Sequence, residues 1–300
     1  MASHTPTLNS ETQSNSSASM EVFMSKTKAL DGNIAEQTRL EYQHDTILHS
    51  MGGKALYAPV DLSKPGLRIL DSGCANGRWI KDLQAASPAK HEYVGTDVVE
   101  SLYPNPPPEG TQFQDQSIKE AFPESWQGSF DVVHQRLVMA AAAPEKTPTA
   151  VVQELANLVR PGGWLQMVEV IPSHIPNNPL SQNQYIDMLN VLYTSLYTQV
   201  GQQYSNLWAC LPQEMETAGL KNVQKEEILV RFGAAVDDSS SIRHNSIEAA
   251  LDGVKNFQAV LKRLPKEVWR PEWDNLEQRL RNDLEHTGGY MRYIVCWGQK

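Results

Sequence analysis

The feature that most constrains the fold of this sequence is a short apolar segment that leads directly into a turn of small residues. Residues 67–70 are Leu-Arg-Ile-Leu, and Asp71, Gly73, Ala75 and Gly77 follow them closely. A helical pattern of apolar residues begins immediately after the turn. A strand, a glycine-rich turn and a helix in this order open a βαβ unit.

The spacing of the turn distinguishes between two classes of nucleotide ligand. The order here is G-x-A-x-G, whereas a dinucleotide site favours G-x-G-x-x-G, whose third glycine lets the helix pack close to a pyrophosphate. Arg78 stands at the corresponding position. The turn therefore suits a nucleoside ligand without phosphates and argues against a nicotinamide-dependent oxidoreductase.

The alternation of strands and helices continues along the chain. Strands are predicted at 67–70, 92–96, 111–114, 130–134, 164–170, 223–232 and 289–297, and helices at 35–51, 79–86, 149–158, 182–200, 207–218, 247–264 and 273–286. This order predicts an α/β fold with a mostly parallel sheet and helices on both faces. We expect a disordered tail over 1–19, a helical cap over 20–66 and a sheet domain over 67–300, with helical insertions at about 180–205 and 240–287.

Composition and charge limit the classes of function. The 300 residues carry 26 Lys and Arg against 35 Asp and Glu, a net charge of −9 without a basic cluster, which argues against binding to nucleic acid. No apolar stretch approaches the roughly 20 residues that a membrane helix needs. Cys74, Cys210 and Cys296 lack the paired spacing of a zinc site, so we expect no metal and a reducing, cytoplasmic location. The expected partner is a small molecule, and the oligomeric state is left open.

Three acidic residues follow three successive predicted strands. Asp71 ends the first strand, Asp97 the second and Asp115 the third. Because the carboxyl ends of parallel strands meet at one edge of a sheet, we expect these side chains beside the glycine-rich turn. A carboxylate at Asp97 would accept hydrogen bonds from ribose hydroxyls, and one at Asp115 from an adenine amine. Each acid alone is also explained as a loop or cap residue.

With these motifs the sequence resembles the class I S-adenosylmethionine-dependent methyltransferases, over residues 35–232 and the final strand. Residues 39–45, 130–136 and 158–164 are similar to the fungal group that includes the regulator LaeA and the specialised-metabolite methyltransferases TdiE and GliN. The resemblance implies a Rossmann-like seven-stranded sheet, mostly parallel with an antiparallel last strand. It also implies S-adenosyl-L-methionine as the cofactor.

The resemblance implies roles for individual residues toward this cofactor. These are Asp71, Gly73 and Gly77 at the methionine end, Asp97 at the ribose, Asp115, Gln116 and Ser117 at the adenine, and Gln135 and Arg136 in the wall that faces cofactor and substrate. Separately from the resemblance, we expect Tyr42 to fold over the mouth of the cofactor site. Ala75 departs from the family's glycine at its position. If the backbone there has a positive φ, the methyl group costs roughly 1 kcal/mol.

Methyl transfer is an in-line displacement at carbon, so alignment and the exclusion of water supply most of the catalysis. A general base helps when the acceptor is a hydroxyl or an amide, and the candidates are His134, Glu169 and His174. Each candidate has a structural alternative: a place in the core for His134, a hydrogen bond across the sheet edge for Glu169 and a surface position for His174.

Aromatic and aliphatic residues recur at helical spacing in the predicted helix 182–200. One interpretation is a lid over an apolar acceptor pocket, lined by Met20, Tyr185, Met188, Leu189 and Tyr193. The alternative is a helix that packs its apolar side on the domain.

The leading hypothesis is therefore an S-adenosylmethionine-dependent methyltransferase that acts on an oxygen or nitrogen of a small, apolar specialised metabolite. The alternative is a LaeA-like regulatory protein that keeps the fold and acts through protein partners, although the sequence has no basic nuclear-targeting run. A protein that binds the cofactor and catalyses a non-methylating reaction is also left open.

Overall fold

The structure is a computed structural model that describes residues 34–143, 145–198, 207–237 and 241–300. Its strands are β1 (Arg68–Ser72), β2 (Glu92–Asp97), β3 (Thr111–Asp115), β4 (Phe130–Arg136), β5 (Val159–Ile171), β6 (Lys221–Phe232) and β7 (Gly289–Gln299). Its helices are α1 (Ile34–Ser50), α2 (Arg78–Ala86), α3 (Pro148–Leu158), α4 (Leu180–Thr198), α5 (Leu207–Thr217), α6 (Ser241–Leu261) and α7 (Leu276–His286). The predicted tail over 1–19, Met20 and the end of the first insertion lie outside the described residues.

The seven strands form one sheet in the order β3-β2-β1-β4-β5-β7-β6. Neighbouring strands from β3 to β5 are parallel, and β7 is antiparallel to both of its neighbours. This confirms the predicted mostly parallel sheet with an antiparallel last strand. The strand order reverses between β1 and β4, which is where open α/β sheets form a crevice beyond their carboxyl ends.

The central strands are apolar on both faces, which explains why they read as continuous hydrophobic runs. On one face, Ile69 and Val132 pack with Trp79, Ile80, Leu83 and Tyr93, so that α2 covers β1, β2 and β4. Leu70 and Val133 belong to the larger cluster, to which α3 contributes Val152 and Leu155. The switch point between β1 and β4 is therefore fixed by packing from both sides.

The helical insertions are part of the same core. α6 packs against α1 and α7, and α4 packs against α6 and α7. Trp273, Leu276 and Leu280 have no exposed surface and pack within the larger apolar cluster. In the described ranges, no helix is long and apolar enough to cross a membrane. The division into cap and sheet domain stays a prediction.

β5 begins earlier than its sequence predicts. Residues 160–163 read as a turn, yet the strand already starts at Val159. Val159 is in register with Phe130 of β4, and the glycines that follow are paired as well: Gly162 N donates to Lys300 O at 2.9 Å, and Lys300 N donates to Gly163 O at 3.0 Å. Gly163 also lies so close to β4 that a Cβ there would be 2.7 Å from Asp131 O. Gly162 and Gly163 thus continue the hydrogen bonding of β5 to its neighbours rather than end it.

Candidate functional site

The turn between β1 and α2 has a left-handed backbone at three positions. Gly73, Ala75 and Gly77 have φ values of 75°, 49° and 69°. Gly73 N and Cys74 N both donate to Thr96 O, at 2.7 and 2.8 Å, which ties the turn to β2. Ala75 therefore does occupy a conformation that costs an L-residue roughly 1 kcal/mol.

The two glycines of the turn are needed for space as well as for φ. A Cβ at Gly73 would overlap Val138 Cγ2, and a Cβ at Gly77 would be 2.8 Å from Phe113 Cζ. Phe113 stacks on Tyr103 with ring centroids 5.0 Å apart. Sequence reasoning did not single out Val138, Phe113 or Tyr103, because their contacts with the turn join residues far apart in the chain.

Asp97 holds the turn from the end of β2. Its Oδ2 accepts from Ala75 N at 2.9 Å, and its Oδ1 accepts from Val98 N and Val99 N at 2.7 and 3.1 Å. Burial raises the pKa of this carboxyl, while the three backbone donors act in the opposite direction. The hydroxyl of Tyr103 accepts from Asp97 N at 2.9 Å and fixes the strand end as well.

Asp115 lies beside Asp97 in the β2–β3 register but is exposed. Within the described ranges, no hydrogen bond to its carboxylate is observed. Gln116 N donates to Asp97 O at 3.0 Å, and the Gln116 side chain donates to the carbonyls of Ser117 and Ala121. Of the three residues assigned to the adenine, Asp115 therefore has the most accessible acceptor atoms.

Asp71 and His134 form a buried pair across β1 and β4. His134 Nδ1 lies 2.8 Å from Asp71 Oδ1, and its ring stacks on Trp79 with centroids 3.9 Å apart. Burial lowers the pKa of His134, so the neutral ring donates through Nδ1–H to the carboxylate. His134 thus orients Asp71 and leaves Asp71 Oδ2 for another donor.

Arg136 ends β4 on the same face as His134 and is half-buried. Its Nη2 lies 2.9 Å from Nδ1 of His44, a residue of α1 with 1 % of its surface exposed. The next residue, Leu137, has a φ of 58°, which is strained for a leucine. His44 falls inside the run 39–45 but was not assigned a role, because nothing in the local sequence connects α1 to β4.

Gln135, between these two residues, is fully buried, and its Oε1 and Nε2 have no partner among the described residues. It is in register with Ser72 of β1, and Ser72 with Thr96 of β2, whose Oγ1 also lacks a partner in the described ranges. An unpaired buried amide costs about 1–3 kcal/mol. A polar ligand that pairs with these atoms would remove this cost. The unpaired side-chain atoms of Gln135 and Thr96 therefore fit a ligand-binding site at the strand ends.

Glu169 is buried on β5, with 1 % of its surface exposed. Its Oε1 accepts from Met139 N at 3.1 Å, and burial raises the pKa of the carboxyl to about 8. His174 lies elsewhere: its side chain is 57 % exposed and its Nε2 is 2.8 Å from Asp187. Of the candidate bases, Glu169 is therefore the buried carboxyl that titrates near neutral pH.

The residues predicted to line an acceptor pocket are buried in α4. Tyr185, Met188, Leu189 and Tyr193 have exposures of 6, 0, 2 and 8 % and belong to the larger apolar cluster. The Tyr185 ring stacks on Phe257 of α6 with centroids 6.0 Å apart. Tyr42 is half-buried on α1, with its ring edge toward His244 of α6. α4 thus packs into the core, and its role toward an acceptor stays a prediction.

The chain is similar to known proteins along most of its length. Residues 41–225 match the family described as a methyltransferase domain. The chain is 33 % identical to methyltransferase psoC of Aspergillus fumigatus over 94 % of this chain and all of that protein. It is 32 % identical to N-methyltransferase gliN of the same fungus, over 88 % of this chain and 93 % of the relative. Among solved structures, the complex of the Haloferax volcanii Trm112 methyltransferase activator with a methyltransferase is similar in fold, with a TM-score of 0.51, 14 % identity and coverage of 91 % of this chain and 96 % of that one.

Proposed function

This chain belongs to the S-adenosylmethionine-dependent methyltransferases, in a group of fungal specialised-metabolite enzymes, and from that premise we propose that it methylates a nitrogen of a small, largely apolar metabolite. The observation that carries the proposal is the edge of the sheet where the glycine turn meets Asp71, Asp97 and Asp115. The name of the relative gliN, an N-methyltransferase, supports nitrogen over oxygen as the acceptor atom.

S-adenosylmethionine supplies a methyl group that is already activated on a sulfonium sulfur. Asp71 Oδ2 would bind the ammonium of the methionine end, and Arg136 would bind its carboxylate. Asp97 would accept hydrogen bonds from the ribose hydroxyls, and Asp115 one from the adenine amine. Gln135 gives independent support, because its buried amide has no partner in the described part of the chain.

Glu169 would act as the general base. A carboxyl with a pKa near 8 is partly ionised at neutral pH, and its raised pKa makes it a stronger base than an ordinary carboxylate for a proton that becomes acidic as the N–C bond forms. The proton leaves the acceptor nitrogen for a Glu169 oxygen as the N–C bond forms. His134 is already engaged between Asp71 and Trp79, and His174 lies on the surface.

Two measurements test this proposal. Isothermal titration of the full chain with S-adenosylhomocysteine should give saturable binding to one site. Mass spectrometry of small apolar amides and matched phenols, incubated with the chain and S-adenosylmethionine, should detect a methyl gain on the amides. Absence of binding contradicts the cofactor assignment, and a methyl gain on the phenols alone contradicts the choice of nitrogen.

The regulatory alternative has less support, because the relatives that match nearly the whole chain carry enzyme names. We also propose a reducing, cytoplasmic location. All three cysteines are free thiols, and two of them, Cys74 and Cys296, are buried. Small-molecule methylation there requires no nucleic acid or membrane partner.

A further inference from the structure

Arg136 is an unusual cation for its position. Its guanidinium ends β4 at the centre of the sheet edge, yet among the described residues no carboxylate lies within salt-bridge distance of it. Burial lowers its pKa, and Asp71 and Asp82 act on it only from farther away. Its observed partner is His44 Nδ1, at 2.9 Å from Nη2. A guanidinium carries five N–H donors, so a half-buried one with a single neutral partner has donors left for an anion.

The protonation of His44 is fixed by its two neighbours. Its Nε2 lies 2.9 Å from Asp82 Oδ2, and a carboxylate only accepts, so Nε2 carries the hydrogen. Arg136 only donates, so Nδ1 must present its lone pair. His44 is therefore neutral, in a single tautomer. Burial and the charge of Arg136 lower its pKa to about 3, against the opposing effect of Asp82.

Asp82 is itself held in place. Arg78 Nε donates to Asp82 Oδ1 at 3.2 Å, and Arg78 Nη2 lies 3.1 Å from Asp45 Oδ1. Asp45 belongs to α1, like His44, whereas Arg78 and Asp82 belong to α2. The contacts thus run from α1 to α2 and back to α1 before they reach Arg136, which fixes the His44 ring against both helices.

We propose that His44, oriented by Asp82, is a positioning residue that holds the Arg136 guanidinium ready for the carboxylate of the cofactor's methionine end. This inference rests on the proposed function, because it requires a ligand with an amino-acid end. It also assigns a role to α1, which then contributes to cofactor binding through Arg136 without touching the cofactor at this point. His44 accepts one guanidinium N–H and leaves the others directed at the ligand.

The test compares two ligands and three variants of the full chain. S-adenosylhomocysteine has the methionine-type carboxylate, and 5′-methylthioadenosine shares the nucleoside but lacks the amino-acid end. His44→Phe keeps the ring but removes both nitrogens. His44→Asn keeps an acceptor near the position of Nδ1, and His44→Gln instead reproduces the Nε2 contact with Asp82.

We expect His44→Phe and His44→Gln to lower the affinity for S-adenosylhomocysteine about tenfold in calorimetry. The affinity for 5′-methylthioadenosine should change less than about threefold. His44→Asn, which keeps the acceptor for Arg136 but loses the contact with Asp82, should weaken the binding of S-adenosylhomocysteine less than the other two variants do. Equal losses for the two ligands, or no loss with His44→Gln, overturn the inference. If the wild type binds neither ligand, the proposed function fails, and this inference fails with it for that separate reason.

Discussion

Replacement of Asp97 by Asn tests whether this carboxylate both builds the turn and binds the cofactor. Both of its oxygens accept backbone hydrogens, Oδ2 from Ala75 and Oδ1 from Val98 and Val99. Asn offers one oxygen and one NH₂ group. In its better orientation the oxygen keeps the Val98 and Val99 bonds, and the NH₂ group then faces the N–H of Ala75, so two donors meet.

The cost follows from these three contacts. A buried donor without an acceptor costs about 1–3 kcal/mol, and the two remaining bonds lose the strength that charge gives them, about 1 kcal/mol together. Relief from burying a charge offsets part of this, since burial raises the pKa of Asp97. We expect Asp97→Asn to lower the free energy of unfolding by roughly 2 kcal/mol. Affinity for S-adenosylhomocysteine should fall by about tenfold or more, because a hydrogen bond to a charged group contributes about 1.5–3 kcal/mol.

Asp115→Asn is the matched control. Asp115 is exposed, and no hydrogen bond to its carboxylate is observed in the described ranges. Its replacement should change the free energy of unfolding by less than about 0.5 kcal/mol and lower the affinity for S-adenosylhomocysteine only a few-fold.

Urea unfolding followed by circular dichroism measures the stability of both variants, and calorimetry measures binding. An Asp97→Asn protein that unfolds at the wild-type urea concentration would refute the role of Asp97 in the turn. Equal stability losses in the two variants would refute the contrast drawn between the two acids.

Two further predictions concern the same edge of the sheet. Gly73→Ala should destabilise by roughly 2–5 kcal/mol, from the positive φ and the overlap with Val138, and adding Val138→Ala should recover part of that loss in a urea double-mutant cycle; simple additivity contradicts the overlap. The kcat of the wild type should rise with pH through about 8 as Glu169 ionises, and Glu169→Gln should lower kcat and remove that rise, whereas a rise that persists places the base elsewhere. The pKa of Glu169 in the folded chain is raised from 4.5 to about 8, so the free energy of unfolding of the wild type should fall as the pH rises between these values. The free energy of unfolding of the Glu169→Gln variant should fall less over the same pH range.

The sequence predicts the sheet well because parallel strands are buried on both faces. β1, β2 and β4 each contain a short apolar run, β1 is followed by Gly73 and β2 ends at Asp97, and these patterns are local. The antiparallel β7 was expected from the family resemblance, and the order of the strands was not predicted. The start of β5 was missed because Gly162 and Gly163 read as a turn in the local sequence, whereas Val159 pairs with Phe130 of β4 and the two glycines pair with Lys300.

The site is only partly predictable from the sequence, because several of its contacts join residues that are far apart in the chain. Asp97 and Asp115 each end a predicted strand, so the sequence does not distinguish them. In the structure Asp97 accepts hydrogen bonds from three backbone N–H groups, whereas Asp115 is exposed. His44 contacts Arg136 across 92 positions of the chain. Helical periodicity carries no information about such a pair, because it arises only when α1 packs beside the carboxyl end of β4.

The arrangement of the site explains how the chain separates cofactor binding from acceptor choice. Three of the groups assigned to the cofactor are oriented by a second protein group: Asp71 by His134, Asp97 by the backbone of the turn, and Arg136 by His44. A site ordered in advance loses less conformational entropy when it binds. Since displacement from an activated methyl group mainly requires alignment, a fixed cofactor leaves the acceptor to be selected by the surrounding helices. α1 is placed to serve both purposes, because it carries His44 to Arg136 and also packs on α6.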